Sequence, residues 1–147
     1  PRVRCGGGVC VGAPGSNPAG PAGGTPVTEI GAATGVVAST RHPMMWGFAS
    51  WALVHVIVNP TPAAIVVSAA IAILAIGGAA GQDRKKEKWI GEPWRDWEQR
   101  TSFVPFGRGG ASPGGFALVG GTLLWLAATY AHGALGYRAA GIWAFFA

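Results

Sequence analysis

The stretch that decides the fold is residues 43–82, PMMWGFASWALVHVIVNPTPAAIVVSAAIAILAIGGAAGQ, which contains no Asp, Glu, Lys or Arg. A buried core helix rarely needs more than about a dozen apolar residues, whereas a membrane-spanning helix needs about twenty. The turn Asn59-Pro60-Thr61-Pro62 divides the stretch into two segments. We therefore expect two membrane-spanning helices, over about Pro43–Val58 and Pro62–Gly81, joined by a tight turn.

A second uncharged run, Gly109 to Tyr137, predicts a third crossing over about Pro113–Leu135. The apolar piece Gly141–Ala147 that follows is too short to span a bilayer. Half of the chain is hydrophobic and 12% is charged, against about 25% charged residues in soluble domains. The fold class expected from these features is an all-α, multi-pass bundle of about three transmembrane helices.

The first 35 residues are rich in Gly, Ala and Pro. Such a segment loses much backbone entropy on ordering and buries little apolar surface. We expect residues 1–35 to form a disordered tail and residues 36–147 to form the membrane domain. The chain begins with Pro1 and has no apolar helix in this tail, so we also expect that N-terminal sequence is missing or misread.

Most of the cations lie between Gln82 and Arg108, among acidic residues and tryptophans. Pro93 suits a helix start, and the following residues place Trp94 and Trp97 on one face, which predicts an amphipathic helix in the headgroup layer. The positive-inside rule places this segment in the cytoplasm. Because the cations are confined to one segment beside the apolar runs, the expected partner is the lipid bilayer and not nucleic acid.

The histidines differ in their predicted depth in the bilayer. His55 and His132 fall in the same leaflet and could face each other from two helices, whereas His42 lies about 20 Å from His55 along one helix. Two imidazoles that converge in an apolar bundle can ligate a haem iron. The alternative is a pair of neutral histidines that bond backbone near the interface.

Arg41 and His42 form the other candidate site, at the cytoplasmic end of the first helix. An arginine beside a histidine can hold a phosphate or a carboxylate, although an arginine that simply snorkels to the headgroups is the alternative. Asp83 and the segment 91–95 lie on the same side of the membrane and could close over this site.

From Gly35 to Phe106 the chain resembles the NnrU family of bacterial membrane proteins. The resemblance is carried by Thr-Arg-His-Pro at 40–43, Trp-Ala-Leu-Val-His at 51–55, Gly-Glu-Pro-Trp at 91–94 and Thr-Ser-Phe-Val-Pro-Phe at 101–106. It implies an integral protein of the bacterial inner membrane that is accessory to denitrification, in nitrite and nitric oxide reduction alongside other membrane proteins of that process. It also implies kinship with plant 15-cis-zeta-carotene isomerase, a membrane enzyme that uses haem b, which supports haem binding by His55 and His132.

More distantly, the Arg41-His42-Pro43 helix start is similar to that of membrane methyltransferases that modify isoprenylcysteine or phospholipids. Those enzymes use this histidine and an adjacent pair of glutamates to bind S-adenosylmethionine. Here the equivalent place holds Asp83-Arg84 and an isolated Glu87. A methyltransferase and a non-catalytic membrane assembly partner therefore remain the alternatives to a haem-binding accessory protein.

Overall fold

A computed structural model describes residues 33–109, 114–137 and 140–146. Every helix or strand element in these ranges is helical, which confirms the all-α class. The elements are α1 (Val36–Ser39), α2 (Pro43–Val58), α3 (Pro62–Ile90), α4 (Glu92–Arg100), α5 (Gly115–Ala134) and a final 3-10 helix (Gly141–Phe145). The disorder expected for the tail falls on residues that, apart from 33–35, lie outside the described ranges.

Prolines and a hydroxyl set the boundaries between α2 and α3. Pro43 and Pro62 each stand in the first turn of their helix, where the missing N–H would have had no intrahelical partner. Thr61 caps α3 by accepting a hydrogen bond from the amide of Ala64 at 3.3 Å. The predicted span of the first helix, Pro43–Val58, agrees with α2.

The predicted end of the second helix at Gly81 is wrong, because α3 continues without a break to Ile90. The residues after Gly81 are mostly Lys, Arg, Glu and Gln, which have high helix propensity. The helix ends where Gly91 adopts φ +75°, a conformation that glycine adopts at little cost. The 29 residues of α3 are about 43 Å long, which is longer than a hydrocarbon core of about 30 Å.

Among the described helices, α3 is long and apolar enough to cross a membrane. Only 17% of its most apolar 18-residue window is buried within the protein, whereas a soluble core helix would be mostly buried. The shorter helix α2 is also apolar and exposes several large side chains, among them Phe48, Leu53 and Ile57. A crossing by α3 is thus supported by length and composition, and the three-crossing arrangement stays a prediction.

The chain forms two compact units, one that contains α1 to α4 and one that contains α5 and the 3-10 helix. In the first unit, α2 and α3 pack side by side, and the buried residues of these helices are mostly small, namely Ala52 on α2 and Ser68, Ala75 and Ala79 on α3. In the second unit, Trp143 Nε1 donates to the carbonyl of Leu126 at 3.1 Å and joins the 3-10 helix to α5.

The amphipathic pattern predicted for the helix after Pro93 is confirmed in α4, but its apolar face does not lie open to headgroups. Trp94 and Trp97 are 0% and 2% exposed and pack with Val37 and Ile90. Of the three tryptophans in residues 82–108, Trp89 at the end of α3 is the exposed one, at 77%. The tryptophans of α4 therefore form a small internal core.

Overpacking at Ala79 tests the small-residue packing of α3. Ala79 is 0% exposed, so we expect Ala79→Leu to lower the free energy of unfolding by about 1–3 kcal/mol. Ala70→Leu is the matched control, because Ala70 is exposed on the same helix. Thermal unfolding of the detergent-solubilised variants measures both, and an equal melting temperature for the two variants would contradict the packing described.

Candidate functional site

A buried carboxylate on α3 organises the candidate site. Asp83 is 7% exposed and lies beside the start of α2. Its Oδ2 accepts a hydrogen bond from Arg41 Nε at 2.8 Å and lies 2.7 Å from Arg41 Nη2, and its Oδ1 accepts from His42 Nε2 at 2.7 Å. Both oxygens of the carboxylate are thus bound by the two residues that precede α2.

A second carboxylate reaches the same guanidinium from α4. Glu98 Oε1 lies 3.3 Å from Arg41 Nη2, and the Glu98 side chain is 26% exposed, against 10% for that of Arg41. This contact is longer and more solvated than the pair with Asp83. We refer to Arg41, His42, Asp83 and Glu98 as the polar cluster, which connects the start of α2 to α3 and α4.

The segment after α4 closes one side of the polar cluster through Phe103. The carbonyl of Phe103 accepts hydrogen bonds from Thr40 Oγ1 at 2.7 Å and from Trp46 Nε1 at 2.8 Å. The Phe103 ring lies edge-on to the His42 ring at 5.4 Å and 5.6 Å from the Arg41 guanidinium carbon. The Thr-Arg-His-Pro and Thr-Ser-Phe-Val-Pro-Phe motifs, far apart in sequence, are therefore in direct contact.

The backbone of these two motifs is paired as well. The Arg41 amide donates to the carbonyl of Ser102 at 2.9 Å, and the Phe106 amide donates to the carbonyl of Ser39 at 2.8 Å. These bonds fix the position of the main chain next to Arg41 and His42. The two side chains therefore reach Asp83 from a defined position. The polar cluster is consequently held by its backbone as well as by its charges.

The pKa of the Asp83 carboxyl responds to two opposed effects. Asp83 lies two residues beyond Gly81, where the apolar part of α3 ends. Burial raises the pKa of the Asp83 carboxyl, but the hydrogen bonds and charges of His42 and Arg41 outweigh burial and hold the pKa below its usual value. The carboxylate can only accept, so His42 Nε2 must carry the proton in this bond. In the neutral ring the lone pair is then on Nδ1.

The lowered pKa makes stability depend on pH in a defined window. A carboxyl whose pKa is lower in the folded state contributes stability that is complete above its unfolded value of 3.8 and is lost as the pH falls through the lower folded value. We expect wild-type protein to keep its full advantage over Asp83→Asn above pH 3.8 and to lose it progressively as the pH falls from there through the lower folded pKa. Thermal unfolding across a pH series measures this, and an advantage already lost in mildly acidic buffer would contradict it.

The structure brings together two of the four residues predicted for ligand binding, Arg41 and His42. Their anionic partner in the structure is Asp83, and binding of an external phosphate or carboxylate stays a prediction. Sequence reasoning placed Asp83 near Arg41 and His42 but did not identify it as their direct partner, and it missed Glu98. The available signal was that Asp83 follows an apolar run on a continuous helix, where an unpaired carboxylate would be costly.

The two predicted haem ligands belong to different units and have the same local geometry. His55 Nδ1 is 2.8 Å from the carbonyl of Trp51, and His132 Nδ1 is 2.9 Å from the carbonyl of Ala128. The contacts with backbone carbonyls that the alternative to haem ligation predicts for the two histidines are thus present. A carbonyl only accepts, so Nδ1 carries the proton and the lone pair of the neutral ring is on Nε2. The same arrangement is typical of histidines that bind metals through Nε2.

Comparison with known proteins places the chain in one protein family. The family described as NnrU protein matches residues 12–139. The chain is 38% identical to the chloroplastic 15-cis-zeta-carotene isomerase of Arabidopsis thaliana over 76 residues and 33% identical to the Zea mays isomerase of that name over 73 residues. Each match covers 50% of this chain and 20% of the relative, so the chain matches about a fifth of the length of these curated relatives. No solved structure matches it. The match over most of its length shows that the chain belongs to the NnrU family.

Proposed function

We propose that this chain is a membrane-embedded, haem-binding domain that isomerises a cis double bond in a long apolar polyene. The observation that carries the proposal is the separation of surfaces on the α2–α3 pair. Apolar side chains are exposed along both helices, while the charged residues are gathered at one end in the polar cluster. A substrate dissolved in the bilayer would meet the apolar surface directly, and both curated relatives are named as isomerases of a carotene.

The proposal includes a multi-pass arrangement. The helices α2, α3 and α5 would each cross the bilayer, with the turn at Asn59 on one side and the polar cluster on the other. The basic residues after Gly81 favour the cytoplasmic side for the polar cluster. The bacterial inner membrane is the location that the family resemblance implies, whereas the relatives named above are chloroplastic.

Haem is supported by the chemistry of the two histidines and by the kinship that the sequence implies. His55 and His132 would hold the iron through Nε2, while their Nδ1–H groups are fixed by backbone carbonyls. A bound haem b would supply a redox-active iron. The protein would supply the ligands, an apolar environment that excludes water, and a fixed orientation of α2.

The polar cluster acts in this proposal as a positioning device. His42 immediately precedes α2, and His55 lies within α2. The bonds from Arg41 and His42 to Asp83 fix the start of α2 against α3, so the rotation of α2 about its axis, and with it the direction in which His55 projects, is set by the cluster. Arg41, His42 and Asp83 would therefore hold the start of α2 in place without touching the haem, and the Arg41–Asp83 pair would keep that position in folded protein when His42 is replaced.

Isomerisation can be tested with the full-length protein in lipid vesicles that contain a 15-cis polyene. We expect the polyene to convert to its trans isomer, measured by chromatography and absorption, and we expect His55→Ala to abolish the conversion. Vesicles without protein control for thermal and photochemical isomerisation. A haem-loaded protein that leaves the isomer ratio unchanged would refute the proposal.

An accessory role in denitrification is the other function that family membership suggests, and it shares the haem proposal. It predicts that membranes lacking the protein reduce nitrite or nitric oxide more slowly, and that the purified protein does not alter polyene geometry. A non-catalytic assembly partner would lower the amount of assembled reductase instead. The two assays therefore separate these roles from isomerisation.

The methyltransferase alternative concerns Arg41 and His42. Both residues already bind Asp83, and an adjacent glutamate pair is absent from the sequence. We expect no S-adenosylmethionine binding in calorimetry, even at high ligand concentration. Saturable binding that His42→Ala removes would revive this alternative.

A further inference from the structure

The continuation of α3 beyond its apolar part creates a charged surface that the proposed function does not use. Arg84, Lys85 and Lys88 are exposed there, together with Trp89, which is 77% exposed. At 100° per residue these four positions fall within an arc of about 140° on the helix. We refer to them as the basic face of α3.

The buried side of the same helical turn points away from the basic face. Asp83 lies on that side, bound to Arg41 and His42. Glu87 lies next to that side, is partly exposed, and pairs with Arg95 at 3.1 Å. The acidic residues of this turn are thus committed elsewhere, and among the described residues no carboxylate forms a salt bridge with Arg84, Lys85 or Lys88. The basic face is accordingly a concentrated positive surface.

The position of the basic face relative to the apolar part of α3 matches a bilayer interface. Pro62 to Gly81 is about 30 Å long, which is the thickness of the hydrocarbon core. Arg84 and Lys88 then lie about 5 and 10 Å further along the axis, at the depth of the headgroups. Lys85 Nζ stacks over the Trp89 ring at 4.6 Å, and tryptophan is favoured at this depth.

We propose that the basic face of α3 binds the headgroups of anionic phospholipids. Cations placed directly after a membrane-spanning segment attract anionic lipids through short-range electrostatics. Lysine and arginine supply only donors and positive charge, which complements a phosphodiester, whereas a zwitterionic headgroup also presents an ammonium that they repel. The inference rests on the membrane embedding included in the proposed function, and it adds a lipid class to the same surface.

The full chain reconstituted in vesicles of phosphatidylcholine with spin-labelled lipid tests this inference. We expect the protein to retain spin-labelled phosphatidylglycerol at its surface severalfold more than spin-labelled phosphatidylcholine. The triple variant Arg84→Gln, Lys85→Gln, Lys88→Gln should retain both lipids about equally. The matched control removes three exposed cations that lie outside the basic face, in α4 and after it, and it should keep the preference. Its substitutions are Arg95→Gln, Arg100→Gln and Arg108→Gln.

The outcomes separate the lipid site from the membrane embedding. A preference that survives in the triple variant, or that falls equally in the control, would overturn the lipid site while leaving the embedding intact. Failure of the wild-type protein to float with pure phosphatidylcholine vesicles would overturn the embedding and the lipid site together. Raising the salt concentration should weaken the preference of wild-type protein, because exposed charges are screened.

Discussion

Replacing Asp83 with Ala is expected to lower the free energy of unfolding by about 3–5 kcal/mol, the cost typical of removing one partner from a buried ion pair. The reason is that Arg41 and His42 remain buried, with side chains 10% and 2% exposed. Of the two carboxylates that contact its guanidinium, Arg41 would keep Glu98, which lies at the longer distance. Thermal or denaturant unfolding of the detergent-solubilised protein measures the loss.

The matched control for Asp83→Ala is Glu87→Ala, one turn further along α3. Glu87 also pairs with an arginine, but the side chains of Glu87 and Arg95 are 43% and 53% exposed. Exposed pairs contribute about 0–1 kcal/mol, so Glu87→Ala should have a small effect. Similar losses for the two variants would contradict a special role for the buried carboxylate.

Replacing His55 with Ala is expected to abolish or shift the low-spin haem spectrum of the full-length protein. The imidazole that would bind iron is then absent, and axial ligands must lie within about 2 Å of the metal. His132→Ala should have the same effect if it supplies the second ligand. The absorption spectrum of detergent-purified protein measures both changes, and redox titration of any remaining haem provides a second readout.

His42→Ala is the comparison for His55→Ala. The two residues are about 20 Å apart along α2, and His42 is occupied by Asp83 at 2.7 Å. We expect this variant to be less stable but to keep the low-spin spectrum in its folded fraction. A spectrum that is lost in His42→Ala and kept in His55→Ala would show that the ligand assignment is wrong.

The sequence predicted the helical class and the limits of α2 because the signals there are local. Two prolines, a capping threonine and uninterrupted apolar residues specify where α2 ends and α3 begins. The prediction that α3 ends at Gly81 is wrong because the residues that follow the glycines are strong helix formers. Glycine lowers helix propensity by only about 1 kcal/mol, which neighbouring residues offset.

The polar cluster could be predicted only in part, because its contacts are separated by 41 to 57 residues in the chain. The pattern identified Arg41 and His42 as candidates and placed Asp83 nearby, but their pairing depends on the angle at which α2 packs on α3. The role of Glu98 depends in turn on the break at Gly91, which turns α4 back toward Arg41. Neither the packing angle of α2 on α3 nor the direction of α4 after Gly91 is encoded by a local spacing of residues.

Cysteine accessibility tests most directly whether α2 and α3 form a membrane hairpin with the polar cluster at its cytoplasmic end. In a background in which Cys5 and Cys10 are replaced by Ser, Asn59→Cys and Gln99→Cys introduce single labels at the turn and on exposed α4. An impermeant maleimide should label position 59 only from outside the membrane of intact cells and position 99 only from the cytoplasmic side. Labelling of both positions from the same side would contradict the hairpin.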